Sequence, residues 1–158
     1  MAAPTVSDRE LPNGIKLEDG FASFVTFAAA KDFCLFEKSI TPPGIQGGEL
    51  IDTTTMFNSV WRTFRPRSLK TMTNVKFSAL YDPNFYVQAL AIINVVTSVT
   101  VQFSDGSKLA VWGALLNITP GAMEEGACPM CDVEVGVTNE DPVARTEEPP
   151  VFDNVAGT

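Results

Sequence analysis

Residues 98–116 read SVTVQFSDGSKLAVWGALL, two apolar runs on either side of an Asp-Gly pair. In the first run Val99, Val101 and Phe103 alternate with small polar residues, which places them on one face of an extended chain. An Asp-Gly pair between two such runs is a strong signal for a β-hairpin. The segment therefore predicts two antiparallel strands joined by a tight turn at Asp105-Gly106, in which both turn residues adopt positive φ.

Segments of similar character lie on both sides of this hairpin. Residues 71–80 alternate and predict a half-buried strand, and residues 130–138 predict the last strand. Aromatic and β-branched residues dominate 21–27 and 33–40, and Lys31-Asp32 between them favours a second hairpin. The chain is therefore predicted to consist mainly of antiparallel sheet.

A single helix is predicted at residues 83–94, with Asp82 as N-cap and Pro83 at the first helical position. Because this helix is apolar over most of its circumference, we expect it to lie under other structure. The predicted fold is mainly β: one domain of about six or seven strands, a β-sandwich or barrel, with one short α-helix between the fourth and fifth strands. This domain covers residues 20–138, between an N-terminal arm (1–19) and a C-terminal arm (139–158).

A long irregular loop is predicted at residues 41–56, where two prolines and three glycines oppose a regular element in the first half. Loops of this length in compact domains are usually functional or disordered. This loop is too apolar for a free linker, and its apolar residues need cover either from their own domain or from a neighbouring molecule. Those residues are Ile45, Leu50, Ile51, Met56 and the following Phe57.

A basic and aromatic segment follows the loop. It carries four cations within nine residues, Arg62, Arg65, Arg67 and Lys70. Such a segment could bind phosphate and stack bases. In a chain of net charge −8, with Glu49 and Asp52 nearby, ion pairs between loops or subunits are the favoured interpretation.

Composition argues against several functions. The chain has 11 Lys and Arg against 19 Asp and Glu, which opposes a surface that holds nucleic acid by neutralising phosphates. It has no histidine, and so lacks the usual general base and the commonest zinc ligand. No apolar run approaches the roughly 20 residues that span a bilayer, and the first residues do not resemble a secretion signal. We expect no enzymatic activity, no cofactor, no metal and no membrane.

Cys128 and Cys131 have the CxxC spacing of a thiol–disulfide motif or half a zinc site. A redox motif of this kind opens a helix, whereas this one precedes an alternating run that predicts a strand. Cys34 is the only other cysteine, so four zinc-binding thiols are excluded. The thiols are expected to be buried or incidental.

Short motifs follow one another in a fixed order along the chain. In sequence letters, they are TPPG (41–44), GG (47–48), IDTTTM (51–56), WR (61–62), PRSLK (66–70), YDP (81–83), FSDGS (103–107), WG (112–113), PGAMEEG (120–126) and VTNEDP (137–142). Their order and spacing resemble the major tail proteins, or tail-tube proteins, of phages with long non-contractile tails, and the resemblance extends from about Gly20 to Pro142. Relatives usually carry an acidic or polar residue in the stretch that is CPMC (128–131) here.

The resemblance implies a structural virion protein. Such proteins form hexameric rings that stack into a hollow tube, in which each subunit adds strands to a continuous barrel around the lumen and the tube conducts DNA from capsid to host. A long loop reaches the adjoining ring, here through Ile45, Leu50, Ile51, Asp52 and Met56, and terminal arms reinforce the stack. The implied partners are other copies, the tail terminator, the tape measure and the distal tail protein, with transient passage of DNA. The implied location is the virion tail, assembled in the host bacterial cytoplasm.

The last predicted strand places Asp132 and Glu134 on one face and Val133, Val135 and Val137 on the other. If the valines face the core, the two carboxylates face either bulk water or the lumen of a tube. In a tube they would form acidic rings that repel DNA. An alternative function is a β-sandwich binding module, such as a capsid-decorating or receptor-binding virion protein. A third, an enzyme that uses the CxxC motif, is disfavoured.

Overall fold

The computed structural model describes residues 23–30, 35–104 and 106–153. The predicted mainly β class is confirmed, since 46% of residues lie in strands and 6% in helix. In chain order the described elements are β1 (Phe24–Phe27), β2 (Phe36–Thr41), β3 (Ile45–Gln46), β4 (Ile51–Asp52), β5 (Phe64–Arg65), β6 (Thr71–Met72), β7 (Val75–Leu80), α1 (Phe85–Ile92), β8 (Val96–Gln102), β9 (Lys108–Pro120), β10 (Met130–Val137) and β11 (Val151–Asp153).

Seven of these strands form one antiparallel sheet. Its order is β1-β8-β9-β10-β7-β2, and β11 pairs with the beginning of β9. Alternation along each strand turns one face of this curled sheet toward the core, as the sequence pattern predicts. The core side chains include Val75, Phe77, Val99, Val101, Val133 and Val135.

Strand β9 organises the sheet because it is long enough to have different neighbours along its length. Val99 of β8 pairs with its first half, and Val133 of β10 pairs with its second half. The register between β9 and β10 shifts between Glu134 and Val135, as at a β-bulge. A bulge increases local bend and twist, which helps a sheet to curl.

The two strands predicted as the first hairpin, β1 and β2, do not pair with each other. β1 pairs with β8 and β2 with β7, so they form opposite edges of the sheet. Curling brings these edges together, and the Val25 amide of β1 donates a 3.0 Å hydrogen bond to Glu37 Oε1 of β2. The hairpin prediction was therefore wrong in its pairing, and Lys31-Asp32 lies outside the described residues.

The central hairpin, β8–β9, is confirmed in pairing but not in turn type. Phe103 N–H donates to Ser107 O at 2.9 Å, and Gly106 N–H donates to Phe103 O at 3.0 Å. These bonds leave three residues in the loop, and Gly106, at φ 85°, is the last residue of the four-residue turn that begins at Phe103. This pattern is typical of a three-residue hairpin loop. The predicted two-residue turn is therefore incorrect, and Asp105 lies outside the described residues.

Helix α1 is shorter than the predicted range and begins after Asn84. Asp82 Oδ1 accepts the Asn84 backbone N–H at 3.0 Å, so Asp82 still stabilises the start of the helix. Only Ala89 and Ile92 of the helix are buried. The expectation that α1 lies under other structure is not met among the described residues, since Tyr86, Val87 and Leu90 are exposed.

The predicted C-terminal arm begins at Asn139, and its described part returns to the sheet. Glu140 and Glu147 form an antiparallel bridge, and Asp141 Oδ1 accepts the amides of Val143 and Ala144. The chain then adds β11 beside β9. The N-terminal arm predicted at residues 1–19 lies outside the described residues.

Candidate functional site

The predicted long loop is one half of a projecting β-hairpin, which we call the arm (residues 45–72). Ile45 pairs with Met72 at its root, and Ile51 pairs with Arg65 further out. The basic segment forms the returning half. Most of residues 41–56 is irregular, as expected, but Ile45–Gln46 and Ile51–Asp52 pair with strands beyond this range. Local sequence patterns did not predict these pairings, because the partner residues are more than ten positions away.

Backbone and side-chain hydrogen bonds stiffen the outer part of the arm. Thr53 N–H donates to Thr63 O at 2.9 Å, and Thr54 N–H donates to Asp52 Oδ1 at 2.8 Å. At the turn itself, Thr55 N–H donates to Asn58 Oδ1 at 2.8 Å. These bonds give the end of the arm a defined shape without a core of its own.

The end of the arm presents large apolar side chains to solvent. Met56 is 98% exposed, Phe57 96% and Trp61 81%, and Val60 is also exposed. We call these four residues the tip. Exposed apolar side chains that cluster in this way are typical of an interaction surface.

The predicted loop residues lie on the arm, and the apolar residues predicted to need cover include Met56 and Phe57 of the tip but not Val60 or Trp61. Ile45, Leu50 and Ile51 are exposed along its first half, so their own domain does not cover them. Only Met56 of the tip was singled out as a site residue. The clustering of Phe57, Val60 and Trp61 within six residues of Met56 was the available signal.

Three of the four cations of the arm have no carboxylate partner among the described residues. Arg62 Nη1 lies 4.0 Å from Asp52 Oδ2, with both side chains exposed. Hydrogen bonds from Thr54, and then the Arg62 charge, hold the pKa of Asp52 below its ordinary value. Arg65, Arg67 and Lys70 have no carboxylate of a described residue within 4.0 Å. Isolated exposed pairs contribute little to folding, so these charges are free to meet another molecule.

A second feature is the polar face of the sheet, opposite the core. Four strands bring two rows of polar side chains into register around a shallow depression of about 360 Å³. The first row is Ser39, Ser78, Asp132 and Thr119, and the second is Thr41, Lys76, Glu134 and Asn117.

Asp132 and Glu134 lie on this polar face, because Val133 and Val135 fill the core side of β10. Glu134 Oε1 accepts a 2.8 Å hydrogen bond from Asn74 Nδ2 and lies 3.6 Å from Lys76 Nζ. The Asn74 bond, and then the Lys76 charge, lower the pKa of Glu134. Lys76 offsets one of the two carboxylates, so the patch is less acidic than the β10 sequence alone predicts.

The CxxC segment leads into strand β10 and does not open a helix. Cys131 is buried in the core at the start of β10, and burial raises the pKa of its thiol, which opposes thiolate formation. Cys128 is exposed and both thiols are free, while Cys34 lies outside the described residues. Among the residues that the structure describes, no three metal-ligating side chains cluster, and no helix is long and apolar enough to cross a membrane.

No protein-family model matches the sequence, and no curated protein matches it either. Solved structures do match in fold. A chain of the anti-feeding prophage baseplate is 8% identical, with 99% of each chain covered and a TM-score of 0.63. A chain of the sheath–tube complex of an extracellular contractile injection system, in its extended state, is 10% identical, with 97% of this chain and 100% of that chain covered and a TM-score of 0.61. This protein therefore shares, over nearly its whole length, the fold of chains found in phage-tail-like assemblies.

Proposed function

We propose that this protein is the repeating structural subunit of a phage-type tail tube. Six copies form a ring, and rings stack into a hollow tube that conducts DNA from capsid to host. The observation that carries the proposal is the arm, a stiffened hairpin with an exposed apolar tip on a domain of the tail-like fold. In a protein that stays monomeric, the exposed apolar tip would promote aggregation, whereas in a protein that assembles the tip is buried in the contact.

The class of tail is part of the proposal. One structural neighbour belongs to a baseplate and the other to a sheath–tube complex, so the likeness in fold does not select a non-contractile tail. The ordered motifs between residues 41 and 142 favour that class. The partners would be other copies, the terminator, the tape measure and the distal tail protein, in a virion assembled in the host cytoplasm.

Each subunit has the features that a tube requires. Strands β1 and β2 are the two edges of the sheet, and edge strands can pair with neighbouring copies in a ring. The arm would reach the adjoining ring, with its unpaired cations facing carboxylates there. The polar face would line the lumen, where a smooth hydroxyl and amide surface with a small acidic excess lets DNA slide.

Negative-stain microscopy of the purified full chain tests the proposal. We expect stacked rings or tubes, and a monodisperse monomer at high concentration would favour the binding module instead. A variant whose residues 54–62 are replaced by Gly-Gly should yield folded subunits or single rings that do not stack. Normal tubes from that variant would show that the arm is not the contact between rings.

A further inference from the structure

The root of the arm borders a cleft that the proposed tube leaves unassigned. The cleft lies between the root and the C-terminal segment and encloses about 790 Å³, enough for several large side chains. Its apolar lining includes Ile45, Leu69, Met72 and Pro149. Leu69 and Ile45 are exposed there, so the subunit itself does not close the cleft.

The cleft also contains polar groups without partners. Glu147 and Glu148 line it, and no cation of a described residue lies within 4.0 Å of either carboxylate. Asn139 Oδ1, also in the lining, is buried and accepts no hydrogen bond from any described residue. A buried acceptor without a donor is uncommon in a finished structure. Lys70 and three hydroxyl side chains (Ser68, Thr71 and Thr138) also line the cleft, but none of them pairs with Asn139 Oδ1, and Lys70 is not within 4.0 Å of either carboxylate. The cleft therefore lacks apolar cover, and these acceptors remain open to donors from another molecule.

The tip of the arm has the complementary chemistry. It offers three large apolar side chains, Met56, Phe57 and Trp61, that nothing in the described subunit covers. It also offers donors, namely the indole N–H of the exposed Trp61 and the neighbouring Arg62 guanidinium, which reaches Asp52 only at 4.0 Å. Aromatic residues and arginine are the side chains that most often anchor protein interfaces.

We propose that the cleft of one subunit receives the arm tip of a second copy. Met56, Phe57 and Trp61 fill the apolar part, and Arg62 faces Glu147 and Glu148. This inference rests on the proposed function, because it identifies the receiving surface of the contact between rings.

The geometry of this contact produces a stack. The tip of a copy cannot fold back into the cleft beside its own root, because the paired hairpin between them is extended. A contact between two different surfaces on identical chains is head-to-tail. When each copy is displaced from the last along one direction, such contacts build an open stack and not a closed ring of copies. The displacement would be at most one arm length, about 40 Å for the residues from Ile45 to Phe57 at the strand rise.

Charge reversal tests the contact in the full chain. Arg62→Glu alone, and Glu147→Arg with Glu148→Arg, should each abolish sedimentable tubes. Combining all three should restore tubes, because the interacting charges are exchanged. Lys108→Glu, at the start of β9, changes the net charge by the same amount as Arg62→Glu does. This control variant should form tubes as the unmodified chain does. Circular dichroism of every variant checks that the fold is intact.

Cysteine cross-linking gives an independent measurement. In a Cys128→Ser background, Phe57→Cys with Leu69→Cys should form an intermolecular ladder on non-reducing gels only when tubes are present. The proposed receiving cleft is wrong if the charge variants leave tubes unaffected. It is also wrong if the unmodified chain forms tubes but neither the charge rescue nor the cross-link is observed. In both cases the proposed function stands. A chain that forms neither rings nor tubes would overturn both.

Discussion

At the scale of single residues, two glycines allow β9 and β10 to approach closely. A Cβ on Gly113 would lie 2.6 Å from the backbone oxygen of Gly136, whereas a Cβ on Gly136 would meet the Leu116 side chain at 2.8 Å. Backbone cannot yield without disturbing the sheet, but the partly exposed Leu116 side chain can rotate. We expect Gly113→Ala to lower the free energy of unfolding by roughly 1–3 kcal/mol and Gly136→Ala by clearly less. Urea denaturation measures both, and equal losses would contradict the argument.

Gly106 is needed for its backbone conformation. Its φ of 85° lies in a region that β-branched residues strongly avoid. We expect Gly106→Val to destabilise the fold by about 1 kcal/mol or more. Gly47→Val is the matched control, because Gly47 has no positive φ and a Cβ there would meet open space. Thermal unfolding that shows no difference between the two variants would refute this account of the turn.

Glu134 titrates in a network of hydrogen bonds and charge. Asn74 is the largest cause of its lowered pKa, followed among the stabilising groups by Lys76. Because the folded pKa lies below the ordinary value of about 4.5, ionised Glu134 stabilises the fold above that value. That contribution is lost as pH falls through the folded pKa. We expect Asn74→Ala to raise the pKa of Glu134 more than Lys76→Met does, as carboxyl NMR titration would show. The reverse order would mean that charge dominates.

At the scale of elements, a side-chain hydrogen bond crosses between the sheet edges β1 and β2. Glu37 Oε1 accepts the Val25 amide, which faces away from β8. Glu37→Ala removes this acceptor, and a bond to a charged group is worth about 1.5–3 kcal/mol. We expect the Val25 amide to exchange with solvent roughly tenfold faster or more, while Glu37→Gln preserves most of its protection. Unchanged exchange in Glu37→Ala would show that the edges are held by other contacts.

Elements could be predicted where the signal is local. The alternation around Val133 and Val101 places the correct faces in the core, because burial on one side of a strand has a period of two residues. Which strands pair depends on contacts between residues far apart in the chain, and local sequence patterns do not predict these contacts. β1 and β2 are close in the chain, yet each pairs with a strand about 40 or more residues away. The two halves of the arm escaped prediction for the same reason.

At the scale of the whole molecule, exposed apolar surface distinguishes a subunit from a finished protein. The sequence indicated that Ile45, Leu50 and Ile51 need cover, but not whether their own domain or a neighbour supplies it. In the described chain they are exposed, as are the tip of the arm and Leu90 of α1. The apolar helix was expected to be buried because its hydropathy predicts an apolar environment, which the described chain does not provide around Leu90. In the proposed tube other copies would provide that cover, and surfaces of this kind are the hardest to assign from one sequence.

The charge of the polar face provides the last prediction. If this face lines the lumen, Asp132 and Glu134 repeat in every subunit and leave, beside Lys76, an excess of one negative charge per copy. Replacing both carboxylates with lysine reverses that balance and creates a cationic wall that attracts phosphates. Tubes should still assemble, because neither side chain packs in the core, but DNA ejection should slow or stall, most severely at low ionic strength where screening is weakest. Asp132→Asn with Glu134→Gln is the control and should have a smaller effect. Normal ejection by the lysine variant at low salt, or a tube structure with Asp132 on the outer wall, would exclude the polar face from the lumen while leaving the arm-based proposal intact.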